Sequence, residues 1–152
     1  MDPNAKRRTR LFTPDQIAPC GMNCGACSGY LAWSHDIPRK RGKISHCSGC
    51  RARKKRCAYL KGACGHFSEG KISFCFECPD FPCDHLRKID LRYRTTYDFS
   101  FIRNLEEIRD RGMTAFLRRQ TEEYRCVRCG VGVISIHNRR CFSCERIVHW
   151  RS

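Results

Sequence analysis

The residues with chemistry to offer are thiols. Fourteen cysteines occur in 152 residues, and ten of them form five CxxC units. Near the C-terminus, CVRCGVGVISIHNRRCFSC sets Cys126 and Cys129 eleven residues before Cys141 and Cys144. Each CxxC can fold as a knuckle whose backbone N–H groups point at sulfur, and two knuckles at this spacing can close one tetrahedral Zn²⁺ site. All four ligand positions would be filled by protein, which leaves no place for a reactive water and implies a structural ion. A rubredoxin-like iron site uses similar knuckles and is the alternative metal. His137 and His149 are read as solvated residues and left out of the ligand set.

The other ten thiols lie in residues 20–83: Cys20, Cys24, Cys27, Cys47, Cys50, Cys57, Cys64, Cys75, Cys78 and Cys83. The pairs Cys24/Cys27 and Cys47/Cys50 can close one site, and Cys75/Cys78 with Cys83 and Cys64 a second. Cys20 and Cys57 stay open between three roles: bridging thiolates of a multinuclear cluster, partners of His46, His66 or His85, and unligated thiols. Disulfides are not expected. The opening MDPNAKRRTRLF lacks the apolar stretch of a secretory signal, which points to the cytoplasm, where CxxC thiols are held by metal. No run of residues approaches a transmembrane span, so no membrane partner is expected.

The order CGMNCGACSGYLAW, HCSGC, CAYLKGAC, CFECPDFPCDHL resembles an uncharacterised cysteine-rich family of archaea and bacteria, a domain of unknown function. The resemblance covers roughly residues 18–90 and implies metal binding but no reaction. The helical segment and the zinc ribbon after it look like an extension found in one branch. Within the motif, Cys20, Cys24 and Cys27 have CxxxCxxC spacing, similar to the three-cysteine [4Fe–4S] motif of radical S-adenosylmethionine enzymes. This chain is too short for the α/β barrel of that class. A [4Fe–4S] cluster in the N-terminal body remains the alternative to zinc there, and with it the role of an iron–sulfur redox or cluster-delivery accessory protein.

Charge is the second signal. Thirty Lys and Arg against fifteen Asp and Glu give a formal charge of +15. Three or more zinc–thiolate sites are expected, and three tetrathiolates would lower that figure to about +9, still strongly basic. Residues 37–68 contain no acid. Arg39, Lys40, Arg41 and Lys43 lie on one side of HCSGC, and Arg51, Arg53, Lys54, Lys55 and Arg56 on the other. Two like-charged runs held beside one metal knuckle repel unless an anion sits between them, and phosphate is the common one. Lys6, Arg7, Arg8 and Arg10 add a basic tail. RNA or a ribonucleoprotein such as the ribosome is therefore the expected partner, with a protein partner as the alternative. No catalytic residue is assigned. Glu106/Glu107 and Glu122/Glu123 read as solvated helix acids.

These sites need elements to position them. A short helix in residues 24–36 is expected to pack Tyr30, Leu31 and Trp33 beside the first thiols. Leu86, Ile89 and Tyr93 predict a helix started by Pro82 and Asp84. Phe101, Ile102, Leu105 and Ile108 predict another from about Asp98 to a left-handed Gly112, and Met113, Phe116 and Leu117 a third toward Tyr124. The alternating stretch Val133 to Ile136 predicts a strand ending in a turn at Asn138. The expected architecture is small α+β: a basic tail (1–17), an irregular metal-stapled body (18–83), a helical connector (84–124) and a C-terminal zinc ribbon (125–152).

Overall fold

The computed structural model describes residues 11–37, 46–49 and 73–145. The described chain is mostly helical. A short helix, α1 (Ser28–Ser34), is followed after the cysteine-rich segment by α2 (Asp84–Tyr97), α3 (Phe101–Arg111) and α4 (Met113–Tyr124). Single 3-10 turns occupy Pro14–Gln16, Cys24–Ala26 and Cys75–Glu77. Among the described residues, β structure is limited to isolated bridges: Ile17 to Asn23, Arg125 to Val133, and Ile134 to Cys141. The β share of the expected α+β fold is thus smaller than the alternating Val133 to Ile136 pattern suggests. The chain there pairs with Arg125 on one side and Cys141 on the other, and then Ile136 N–H leaves to donate to Ala26 O at 2.9 Å.

The helix boundaries follow local chemistry. Cys83, not Asp84, is the N-cap of α2, and Asp84 lies in the first turn, where its charge suits the helix dipole. Asp98 does not start α3. It ends α2 in the left-handed region, at φ 53°, and Ser100 becomes the α3 N-cap by accepting from Arg103 N–H at 3.1 Å. Gly112 separates α3 from α4 with φ 88° and ψ 163°, a positive-φ break that is extended rather than left-handed helical.

Leu86, Phe99, Phe101, Leu105, Ile108, Phe116, Leu117 and Tyr124 are buried in one core with Phe12, Ile17, Ala18 and Cys20 of the N-terminal segment and Ile136 of the C-terminal segment. Polar side chains stitch the same surfaces. Asn104 Nδ2 donates to Gly21 O at 2.9 Å, Asn23 Nδ2 to Gln120 Oε1 at 3.2 Å, and Leu11 N–H to Thr121 Oγ1 at 3.2 Å. Gly21 has φ +92°, and a Cβ there would stand 2.7 Å from Phe101 O. The CGMNC motif therefore carries packing instructions as well as sulfur: Gly21 permits close approach to α3, and Asn23 both caps the next turn, through Gly25 N–H, and reaches α4.

Two expectations about packing change. Leu31 is buried with Ala32, Ile37 and Phe142, and Tyr30 O–H accepts from Gln16 Nε2, but Trp33 is 45 % exposed. A seven-residue helix has one inward face and cannot bury all three. Glu107 is not a solvated helix acid either, because Arg119 Nε donates to both of its oxygens while Arg119 Nη1 reaches Glu123. No helix among the described residues is long and apolar enough to cross a membrane.

Candidate metal centre

The C-terminal thiols converge. Cys126, Cys129, Cys141 and Cys144 place their four Sγ atoms within 4.8 Å of one another. Cys126 Sγ lies 3.7 Å from Cys144 Sγ, and Cys129 Sγ 3.8 Å from Cys141 Sγ. A tetrahedron with metal–sulfur bonds of ~2.3 Å has sulfur–sulfur edges of about 3.8 Å, so the donor set fits a four-coordinate thiolate ion.

The backbone builds this spacing from the first knuckle. Gly130, at φ +71°, turns the chain after Cys129, and its N–H donates to Cys126 O at 2.9 Å. Cys126 N–H then donates to Gly132 O at 2.9 Å, and Gly132 N–H points at Cys129 Sγ at 3.3 Å. A Cβ on Gly132 would lie 2.3 Å from Cys141 Sγ, so glycine here makes room for the second knuckle's sulfur. Glu145 fixes that second knuckle: its Oε2 accepts from Cys141 N–H at 2.8 Å, and its Oε1 pairs with Arg128 Nη2 of the first at 2.8 Å.

The electrostatics point the same way. Backbone N–H groups, that of Cys129 foremost, draw the Cys126 thiol down to about 6, while desolvation and its three thiol neighbours push Cys144 up to about 12. A bound dication is the species that stabilises all four thiolates together.

The N-terminal thiols are arranged differently. Cys47 N–H donates to Gly29 O at 3.1 Å, which brings HCSGC against the CGAC turn. The Cys27 thiol, pushed up to about 11 by burial, also feels Cys24 and Cys47. Cys75 N–H donates to Pro19 O at 2.9 Å and so sets CFEC beside Cys20, while Tyr93 of α2 feels both Cys27 and Cys20. Cys20, Cys24 and Cys75 are buried, and Cys78 and Cys83 are half-buried. Among the described residues no three ligand atoms here come within 4.8 Å of one another, as they do at the C-terminal centre. No disulfide joins the described cysteines. Cys50, Cys57 and Cys64, expected as further ligands, lie outside the described residues, as does His66. His46 Nε2 is engaged with Ile37 O at 2.9 Å, and His85 is exposed on α2.

The basic residues assigned to nucleic acid, Lys6, Arg7, Arg8, Arg10, Arg39, Lys40, Arg41, Lys43, Arg51, Arg53, Lys54, Lys55 and Arg56, all lie outside the described residues. Phe74 and Phe76 stack on each other at 5.3 Å and pack against the core.

His137 is the residue the sequence reading missed. It is no solvated turn histidine: Ser28 N–H donates to its Nδ1 at 3.3 Å, and its Nε2 is 3.1 Å from Tyr93 O–H. With Ser28 Oγ against Ser135 Oγ, these bonds dock the C-terminal segment onto α1 and α2. Burial lowers the His137 pKa, and acceptance at Nδ1 selects the neutral tautomer protonated on Nε2. A histidine on an alternating stretch close behind a knuckle was the available signal, but nothing local names Ser28 or Tyr93 as partners.

Residues 16–88 match the model of a protein family of unknown function, DUF3795. The DUF3795 match takes in all ten N-terminal cysteines and runs into α2, but stops short of the C-terminal centre. Together with the four-thiol centre, it fits an uncharacterised cysteine-rich domain family. No curated protein and no solved structure matches the chain.

Proposed function

We propose that this chain is a non-catalytic zinc protein that binds RNA or a ribonucleoprotein. The C-terminal four-cysteine centre acts as a zinc ribbon, further zinc is held by the N-terminal thiols, and the basic runs around HCSGC contact phosphate. The observation that carries the reading is the four-sulfur cage, whose protein ligands fill every position of a tetrahedral ion and so suit a staple rather than a reaction centre. The charge of +15 and the acid-free span of residues 37–68 support an anionic partner with many phosphates.

The test begins with metal and sulfide analysis of anaerobically purified protein. Colourless protein with three or more zinc ions per chain is expected, whereas brown protein with labile sulfide would replace this reading with an iron–sulfur one. Filter binding of structured RNA across a salt series then reads the partner. Affinity should fall by roughly 10³-fold or more between 50 and 200 mM salt if about six or more phosphates are contacted. Replacing Lys54, Lys55 and Arg56 with glutamine should flatten that slope. Salt-independent or absent RNA binding by zinc-loaded protein would overturn the RNA reading and leave a protein adaptor.

A further inference from the structure

A cleft of about 290 Å³ opens where the end of α2, the start of α3 and the end of α4 meet. No thiol lines it, and its walls contain groups the fold does not use. Tyr124 is 1 % exposed and lines the cleft, yet its hydroxyl has no hydrogen-bond partner among the described residues. A buried hydroxyl left without a partner carries a desolvation cost that a bound ligand can remove.

The charges in the wall separate into ion-paired ones and exposed ones with no ion pair among the described residues. Arg119 is used up by Glu107, Glu123 and Asn104 Oδ1. Arg94 gives Nε to Asp90, and its Nη groups have no partner among the described residues. Arg103 and Asp98 line the cleft with no ion pair among the described residues. One cation and one anion are therefore left over. Asp98 is also costly where it stands: it occupies a φ of 53°, where glycine is easier, and as the C-cap it puts a negative charge at the negative end of α2. Arg103, by contrast, sits in the first turn of α3, where the helix dipole favours an anion beside it.

We propose that this cleft binds a small zwitterion of the α-amino-acid class with an apolar side chain. Its carboxylate sits on Arg103 and the free Nη groups of Arg94, its ammonium group on Asp98, and the Tyr124 hydroxyl hydrogen-bonds it. A purely anionic ligand leaves Asp98 unpaired and repelled, and a purely cationic one does the same to Arg103. Phe99 and Tyr124, buried residues at the cleft floor, are its apolar lining.

Calorimetric titration of full-length, zinc-loaded protein with L-phenylalanine, L-leucine and L-methionine tests this, with phenethylamine and 3-phenylpropanoate as single-charge controls. At least one amino acid should bind saturably with Kd of about 1 mM or tighter, and both single-charge controls at least about tenfold more weakly than L-phenylalanine or not at all. Y124F and R103A should weaken amino-acid binding roughly fivefold or more with Tm unchanged or raised. D98G should weaken it while raising Tm, because the strained backbone is relieved. Absence of saturable binding by all three amino acids up to about 10 mM overturns the proposal. So does a single-charge control that binds as tightly as L-phenylalanine, or any of the three variants binding like the parent chain.

Discussion

The two groups of thiols are assembled from the same CxxC unit, and they reach different states. In the C-terminal segment four sulfurs meet within 4.8 Å, and the hydrogen bonds of the cysteines themselves stay within residues 125–145. In the N-terminal segment Cys20, Cys24 and Cys75 are part of the hydrophobic core, and the thiols approach one another through contacts between distant stretches, such as Cys47 to Gly29 and Cys75 to Pro19. Eleven residues separate the C-terminal knuckles and nineteen separate Cys27 from Cys47, a difference worth only about 0.5 kcal/mol of loop closure, so the contrast lies in what each stretch packs against. The C-terminal centre thus organises its own segment, whereas the N-terminal thiols depend on the helices that α3 and α4 contribute.

The largest expected effect tests that asymmetry directly. Cys141→Ser removes one corner of the sulfur tetrahedron, and structural zinc in such sites supplies roughly 10–16 kcal/mol of apparent binding energy. The variant should lose one metal equivalent per chain by elemental analysis. Amide exchange should speed up at Cys126, Ile134 and Ile136, while Leu105 and Leu117 in the α3–α4 core stay slower. Unchanged metal content, or equal loss of protection in both places, would mean that the C-terminal centre is not self-contained.

A smaller effect comes from one substitution made in both regions. Gly21→Ala puts a methyl group 2.7 Å from Phe101 O at a φ of +92°, and should cost about 1–3 kcal/mol of global stability with the C-terminal metal retained. Gly132→Ala aims its methyl group at Cys141 Sγ and should instead lower metal affinity, by roughly 10- to 100-fold in a chelator competition, with a smaller change in the helical core. A metal loss in Gly21→Ala would show that the two regions share more than packing.

Legibility from sequence followed the same divide between local and distant causes. The helical stripes of Leu86, Phe101, Leu105, Phe116 and Leu117 were readable because a 3.6-residue period is a local property, and the four C-terminal thiols were readable because their spacing is short. Asp98 and Asp90 were not. Asp98 looks like a helix start until the chain is seen to turn left-handed there. Asp90 looks like a solvated acid, yet it is 2 % exposed and accepts from Ser100 Oγ, Ile102 N–H and Arg94 Nε, which joins α2 to the start of α3. Such contacts depend on how two helices meet, and no single stretch of sequence records that. The same reason hid Gly132, whose neighbour Cys141 is nine residues away.

His137 offers the finest test, because it is where the two regions touch. Its neutral ring accepts from Ser28 N–H, one residue beyond Cys27, and meets Tyr93 of α2, so protonation would remove the acceptor and place a buried cation between them. Burial sets its folded pKa below the ordinary 6.5. The unfolded chain therefore binds the proton more readily, and the stability His137 contributes is complete above about pH 6.5 and declines as pH falls through the lower folded value. Acid also releases metal from thiolates, so the contribution must be read as a difference. His137→Asn keeps an oxygen close to the Nδ1 position but cannot titrate. Denaturant unfolding of both proteins from pH 7.5 to 5.5 should show the parent's advantage, roughly 1 kcal/mol at neutral pH, shrink as the solution is acidified. Metal loss common to both proteins cancels in that comparison. An advantage independent of pH would mean that the ring packs between the regions without its protonation state mattering, alongside the contacts of Ile136, Ser135 and Phe142.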